Sequence, residues 1–282
     1  MRRLGGIAVL CLGVGVIGLT GCQDTASLQL DPLTTAGRDG NAPQLGYDAV
    51  MRIANASRSA QDFSNAVNLY RHAAEMEPAK TEPLVALGGT LADMGKIDEA
   101  ILNYNAALKI SPHDGEALRG LARAYLKTGR PDLASDPLAL AFHDTPNDPK
   151  LLMLIGVADD FIGQHASAQD RYRQGLKLAP ADRSISLDLA LSLALSEKYN
   201  EAISILKPIA QRPGATAQER QTLALIYGLQ GDQKSAGDVA RVDLDPASVD
   251  HNLAFYESLR RLSPDARSRA VLSVSAGSRP AS

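Results

Sequence analysis

Few side chains in this sequence stand at spacings that chemistry uses. Asp159 and Asp160 are the suggestive acidic pair, since two carboxylates at one site can divide acid and base roles. Neighbours on a helix point to different faces, however, so this pair does not readily share a proton or a substrate. The five histidines, His72, His113, His143, His165 and His251, fall mostly near helix ends or loops, where a lone imidazole is ordinarily solvated. Gly13-Val14-Gly15-Val16-Ile17-Gly18 matches the dinucleotide fingerprint GxGxxG, which needs a helix starting at its glycines within a βαβ unit. Residues 20–46, rich in helix breakers, follow instead, so the nucleotide reading fails. The sequence contains no HExxH, no GxxxxGK[ST] and no GxSxG. Both cysteines, Cys11 and Cys22, lie in the first 22 residues, which rules out a disulfide framework or thiolate zinc site beyond them. A net charge of −3 gives no basic stripe for nucleic acid. These residues predict no enzyme, no cofactor, no metal and no small-molecule substrate.

Cys22 is the exception. The chain opens with Arg2-Arg3, continues uncharged from Leu4 to Thr20, and ends this segment Leu19-Thr20-Gly21-Cys22. A basic start, a short apolar middle and small residues at the end describe a secretory signal peptide over residues 1–21. The last four residues resemble a bacterial lipobox, whose cysteine is lipidated and becomes the first mature residue. That resemblance implies a membrane anchor at Cys22, since two or more acyl chains hold a protein stably. Residues 22–46 read as the lipidated cysteine and a flexible tether, whose 24 residues after Cys22 span roughly 25–30 Å.

Beyond residue 46 the elements declare themselves by period. Pro78, Pro112, Pro146 and Pro180 recur every 34 residues, and six blocks begin at Tyr47, Thr81, Gly115, Pro149, Arg183 and Ala217. Place twenty is alanine in all six (Ala66, Ala100, Ala134, Ala168, Ala202, Ala236), and place eight is always alanine or glycine. Place seven is always aliphatic. Each block reads as two helices crossing closely at the small residues, with a proline preventing continuation into the next pair. Gly95, Gly129, Gly163 and Gly231 mark the turn between the helices in four blocks.

The pattern resembles the tetratricopeptide repeat, most closely over Leu84 to Pro112. The resemblance implies an all-α, right-handed superhelical solenoid of about six helix pairs: 47–80, 81–114, 115–148, 149–182, 183–216 and 217–250. A helix over 249–262 caps it, and the Ser-, Arg- and Ala-rich residues 263–282 are expected to be disordered. Departures fall at Asp159, where the family has a large apolar residue, and at Pro208, expected to kink or end its helix.

In that family the first helices line a concave groove for a protein segment. Carried over place by place, the front half offers Arg52, Asn55, Arg58, Arg119, Arg123 and Lys127, mostly basic. The apolar ones are Met153, Val157, Phe161, Leu187, Leu191 and Leu195. The apolar set reads either as a groove or as packing between repeats and under the C-terminal segment; Arg119 and Arg123 read either as a binding face or as a solvated one. A two-carboxylate clamp is disfavoured, since only Asn55 of its residues survives. Lipobox, tether and repeats together resemble the TadD-type lipoproteins of Flp/Tad pilus assembly, implying an envelope partner such as a secretin. Gln23, rather than aspartate, after the lipidated cysteine favours the outer membrane, facing the periplasm. The alternatives are a repeat lipoprotein of β-barrel assembly, an adaptor for envelope peptidases or cell-wall hydrolases, and an enzyme with an unrecognised site.

Overall fold

The computed structural model describes residues 45–278. The expected signal peptide with its glycine run, Cys22, the expected tether up to residue 44, and residues 279–282 lie outside the described residues. Among the described residues there are fourteen helices and no strand, and none of the helices is long and apolar enough to cross a membrane.

Twelve helices form six antiparallel pairs: α1 (Tyr47–Ser59) with α2 (Phe63–Met76), α3 (Glu82–Asp93) with α4 (Ile97–Ile110), α5 (Gly115–Lys127) with α6 (Pro131–Asp144), α7 (Pro149–Phe161) with α8 (His165–Leu178), α9 (Arg183–Leu195) with α10 (Tyr199–Gln211), and α11 (Ala217–Gln230) with α12 (Gln233–Ala240). Each pair packs on the next, so the apolar faces fuse into continuous clusters that no single pair could bury.

The alanine column explains the crossing. All six alanines at place twenty are completely buried, which lets the paired backbones approach where a larger side chain would hold them apart. Tyrosines then lie over the small residues at place eight. A Cβ added at Gly156 would stand 2.6 Å from Tyr172 Cε1, and one at Gly88 would stand 2.9 Å from Tyr104 Cε1. Place seven is buried or half-buried except in the terminal repeat, where Ile53 is 41% exposed.

The turn inside each pair is a left-handed residue at place fifteen in five repeats besides the last, where Gly231 also holds that place. Gly95, Gly129, Gly163 and Gly231 have φ of +77°, +69°, +79° and +97°, and Gln61 and Glu197 take +61° and +62° in the two repeats that lack glycine. The turn between pairs joins the proline stop to an acidic cap two residues on. Asp114, Asp148 and Asp182 accept hydrogen bonds from the first backbone N–H groups of α5, α7 and α9. Pro208 does not end its helix: α10 continues three residues to Gln211, because a proline this near a C-terminus removes one backbone bond from a helix already held by its buried face.

Past the repeats, α13 (Pro246–Arg260) covers the last pair through Val249, Tyr256 and Leu259, with Tyr256 pressed against Gly228. The composition after Ser263 predicts disorder; the structure has a helix there, α14 (Pro264–Ser278). It buries Arg267, Ser268, Val271 and Leu272, and it lies against α5, α7 and α9. Beside Val271 and Leu272, Arg267 pairs with Glu197 and Ser268 with His165.

Candidate partner groove

The first helices of successive repeats stand side by side, and their facing sides enclose a cavity of about 250 Å³. Met153, Val157, Phe161 and Leu187 form much of its apolar wall, with Tyr104 from the second repeat. Arg123 and Lys127 reach it from α5, one turn apart, and Arg58 reaches it from α1. Burial pushes the Tyr104 phenol above its ordinary pKa, the Arg123 charge opposing the shift. A Cβ at Gly120 would stand 2.3 Å from the Tyr104 ring, so that glycine is what lets the ring form part of the wall.

The structure therefore brings together seven of the twelve candidate groove residues: Arg58, Arg123, Lys127, Met153, Val157, Phe161 and Leu187. Arg52, Asn55, Arg119, Leu191 and Leu195 do not line the cavity. Leu191 and Leu195 are buried in the apolar cluster that also takes in Val271 and Leu272 of α14. Arg119 is held between repeats: its guanidinium donates to Asp148 at 2.8 Å and to Glu116 at 2.5 Å. The cap of α7 and the cation of α5 thus share one carboxylate. Arg58 is similarly engaged by Asp93 at 2.7 Å.

A second constellation lies under α14. His165 Nδ1 is 2.7 Å from Asp160 Oδ1, and His165 Nε2 is 3.1 Å from Ser268 Oγ. Asp160 is buried and also accepts the Ser192 hydroxyl at 2.7 Å and the Tyr172 hydroxyl at 2.8 Å. With Asp160 accepting, Nδ1 carries the hydrogen, and a neutral ring takes the Ser268 hydroxyl at Nε2. The geometry matches a nucleophile, its base and an orienting acid. Ser268, though, is 5% exposed, on the inner face of α14. The arrangement acts as a polar clasp across α7, α8, α9 and α14. Asp159, its sequence neighbour, faces elsewhere and accepts from Ser167 at 2.7 Å. Sequence reasoning weighed Asp160 only as a pair with Asp159, took His165 as solvated where the structure pairs it with Asp160, and passed over Ser268. Asp160 stands at place twelve, a groove-facing place, which was a usable signal; nothing local marks Ser268.

Models of the tetratricopeptide repeat match residues 91–157 and 155–216. Residues 91–216 carry tetratricopeptide repeats. Solved structures agree on the fold: a tetratricopeptide repeat protein from Parabacteroides merdae superposes with a TM-score of 0.64 at 15% identity, over 78% of this chain and 88% of that one. PilF of Pseudomonas aeruginosa gives 0.56 at 18% identity, over 81% and 97%. A thermophilic tetratricopeptide protein from Thermus thermophilus gives 0.56 at 23%, over 64% and 100%. At these identities the likeness is one of fold. A curated relative, the general transcriptional corepressor ssn6 of Schizosaccharomyces pombe, is 25% identical over 149 residues, half of this chain but 14% of that protein. Tetratricopeptide solenoids present extended concave surfaces to protein partners, and the cavity lies on that row of helices.

Proposed function

We propose that this protein is a lipid-anchored scaffold of the bacterial envelope, held to the outer membrane by acyl chains on Cys22 and binding a protein partner in the concave groove. The observation that carries the binding role is the apolar cavity between the first helices, with Arg123 and Lys127 beside it. An apolar side chain of the partner fills the cavity, and a partner carboxylate meets the cations. The lipobox-like Leu19-Thr20-Gly21-Cys22 supports the anchor, and Gln23 supports the outer membrane facing the periplasm. The combination of lipobox, tether and tetratricopeptide array supports assistance to a secretin or another component of Flp/Tad pilus assembly.

Two measurements test this. Mass spectrometry is expected to find the mature chain beginning at acylated Cys22, with Cys22→Ser released from membranes; an unprocessed N-terminus would sink the anchor. Affinity capture from envelope extracts is expected to recover pilus or secretin components with the native chain and at least tenfold less with Phe161→Ser. Recovery undiminished by Phe161→Ser moves the partner off the cavity.

A further inference from the structure

The helix α14 does no capping. The apolar face of the last repeat is already covered by α13, whose Val249 and Tyr256 pack with Ala224, Ala236 and Ala240 of α11 and α12. After the three residues Arg261–Ser263, the chain turns back and lays α14 across α5, α7 and α9, the first helices of repeats three, four and five. Those helices line the groove.

The contacts are those of a docked ligand. Arg267, Ser268, Val271 and Leu272 form one stripe, at spacings of one, four and five residues, while Asp265 and Arg269 face outward exposed. The Arg267 guanidinium donates to Glu197 Oε1 at 2.9 Å in the turn of repeat five and to the Tyr199 hydroxyl at 3.3 Å at the start of α10, as well as to the Leu259 and Leu262 carbonyls at 3.3 and 3.4 Å. One residue on, Ser268 meets His165 at the start of α8, with Asp160, Ser192 and Tyr172 fixed behind it. Val271 and Leu272 then join the buried cluster with Leu118, Leu126 and Leu187. The seat thus has three parts: an anionic end, a hydroxyl-reading imidazole and an aliphatic floor.

We infer that α14 is an exchangeable occupant of the groove, and that the partner is an amphipathic helix presenting an Arg-Ser pair followed, one turn on, by two aliphatic residues. This rests on the groove reading above and names the partner's chemistry. A resident helix on a three-residue link competes at an effective concentration on the order of millimolar, so a free helix with identical contacts does not displace it at micromolar concentration. The winning partner needs something α14 lacks. None of the α14 side chains described lines the 250 Å³ cavity beside Phe161, and a partner helix that also drives a large apolar residue into it gains that advantage.

The test uses the whole protein and a peptide of its own sequence, residues 261–278. The double variant Arg267→Glu, Ser268→Asp sets a carboxylate against Glu197 and replaces the hydroxyl that fits against His165 with a larger, charged group, and it is expected to release α14. Hydrogen exchange should show α14 amides losing protection while α1–α13 keep theirs. The fluorescent wild-type peptide is expected to bind the double variant at least tenfold more tightly than the native chain, and a peptide carrying Ser268→Asp is expected to bind neither. Ser268→Ala, a gentler change, should give an intermediate gain. Equal binding to native and double-variant chains, or no binding to a chain whose α14 has been released, overturns the inference. So does unchanged α14 protection, or loss of protection throughout the repeats, since either makes α14 a fixed part of the fold. The readings fail separately: capture of envelope partners that depends on Phe161 survives if peptide exchange fails, and peptide exchange survives if no envelope partner is found.

Discussion

Tyr172 shows how tightly single side chains constrain this solenoid. Its ring lies over Gly156 while its hydroxyl donates to Asp160 at 2.8 Å, so the ring cannot retreat without loosening that bond. Gly156→Ala is expected to destabilise by about 1–3 kcal/mol through overpacking, read by denaturant unfolding; no change would mean that the ring has room. Place fifteen gives a prediction of the opposite sign. Gln61 is exposed and left-handed, which costs a side-chain-bearing residue roughly 1–2 kcal/mol, against about 0.5–1 kcal/mol of extra unfolded-state entropy for glycine. Gln61→Gly should therefore stabilise by about 0.5–1 kcal/mol, whereas Gly95→Ala at the same place should destabilise by about 1 kcal/mol. The columns of alanine, glycine and proline were legible because a repeat samples one physical environment six times. His165 was not legible, because its partner Ser268 lies 103 residues away and no periodicity links them.

At the scale of elements, stop and start signals did most of the specifying. Each Pro-x-Asp ends one helix and caps the next, and Asp148 adds the pairing with Arg119. Asp148→Ala removes both and is expected to lower stability by about 1–2 kcal/mol, with hydrogen exchange rising first at the start of α7; protection there equal to the native chain would refute it. At the far end, Asp243 follows α12 and receives a fork of hydrogen bonds from Arg220 on α11, which holds its carboxyl below the usual carboxylate range. A folded-state pKa that is depressed contributes stability above the unfolded value and loses it as pH falls through the folded one. The native chain should thus lose melting temperature steeply below about pH 4, and Asp243→Asn should start lower and fall less; parallel curves would exclude this pair from acid unfolding. The helix α14 escaped the sequence reading for a related reason. Val271, Leu272 and Val274 among Ser, Ala and Arg resemble a solvated tail until the Glu197 carboxylate and the His165 imidazole that receive Arg267 and Ser268 are in place.

Across the whole molecule, repeats touch mainly their neighbours, so a disturbance stays local while the groove runs over several repeats. That separation lets stability and binding be measured apart. Leu191 and Phe161 share a sequence argument, both standing at groove-facing places of the tetratricopeptide pattern, yet the structure gives them different work. Leu191 is buried in the cluster of repeats three to six, so Leu191→Ser removes packing that no partner supplies. It should cost about 2–5 kcal/mol, with exchange protection lost in repeat five and its two neighbours before repeat one. Phe161 is half-buried and lines the open cavity. Phe161→Ser gives up less on folding, no more than about 1–2 kcal/mol, but it removes the surface against which a partner's apolar side chain would be desolvated. Partner capture should fall at least tenfold, about 1.4 kcal/mol or more. The paired experiment is denaturant unfolding and envelope capture on both variants. Equal losses of stability would make Phe161 a core residue like Leu191, and an unfolding curve close to native with capture abolished would show that the groove spends this aromatic on its partner rather than on the fold.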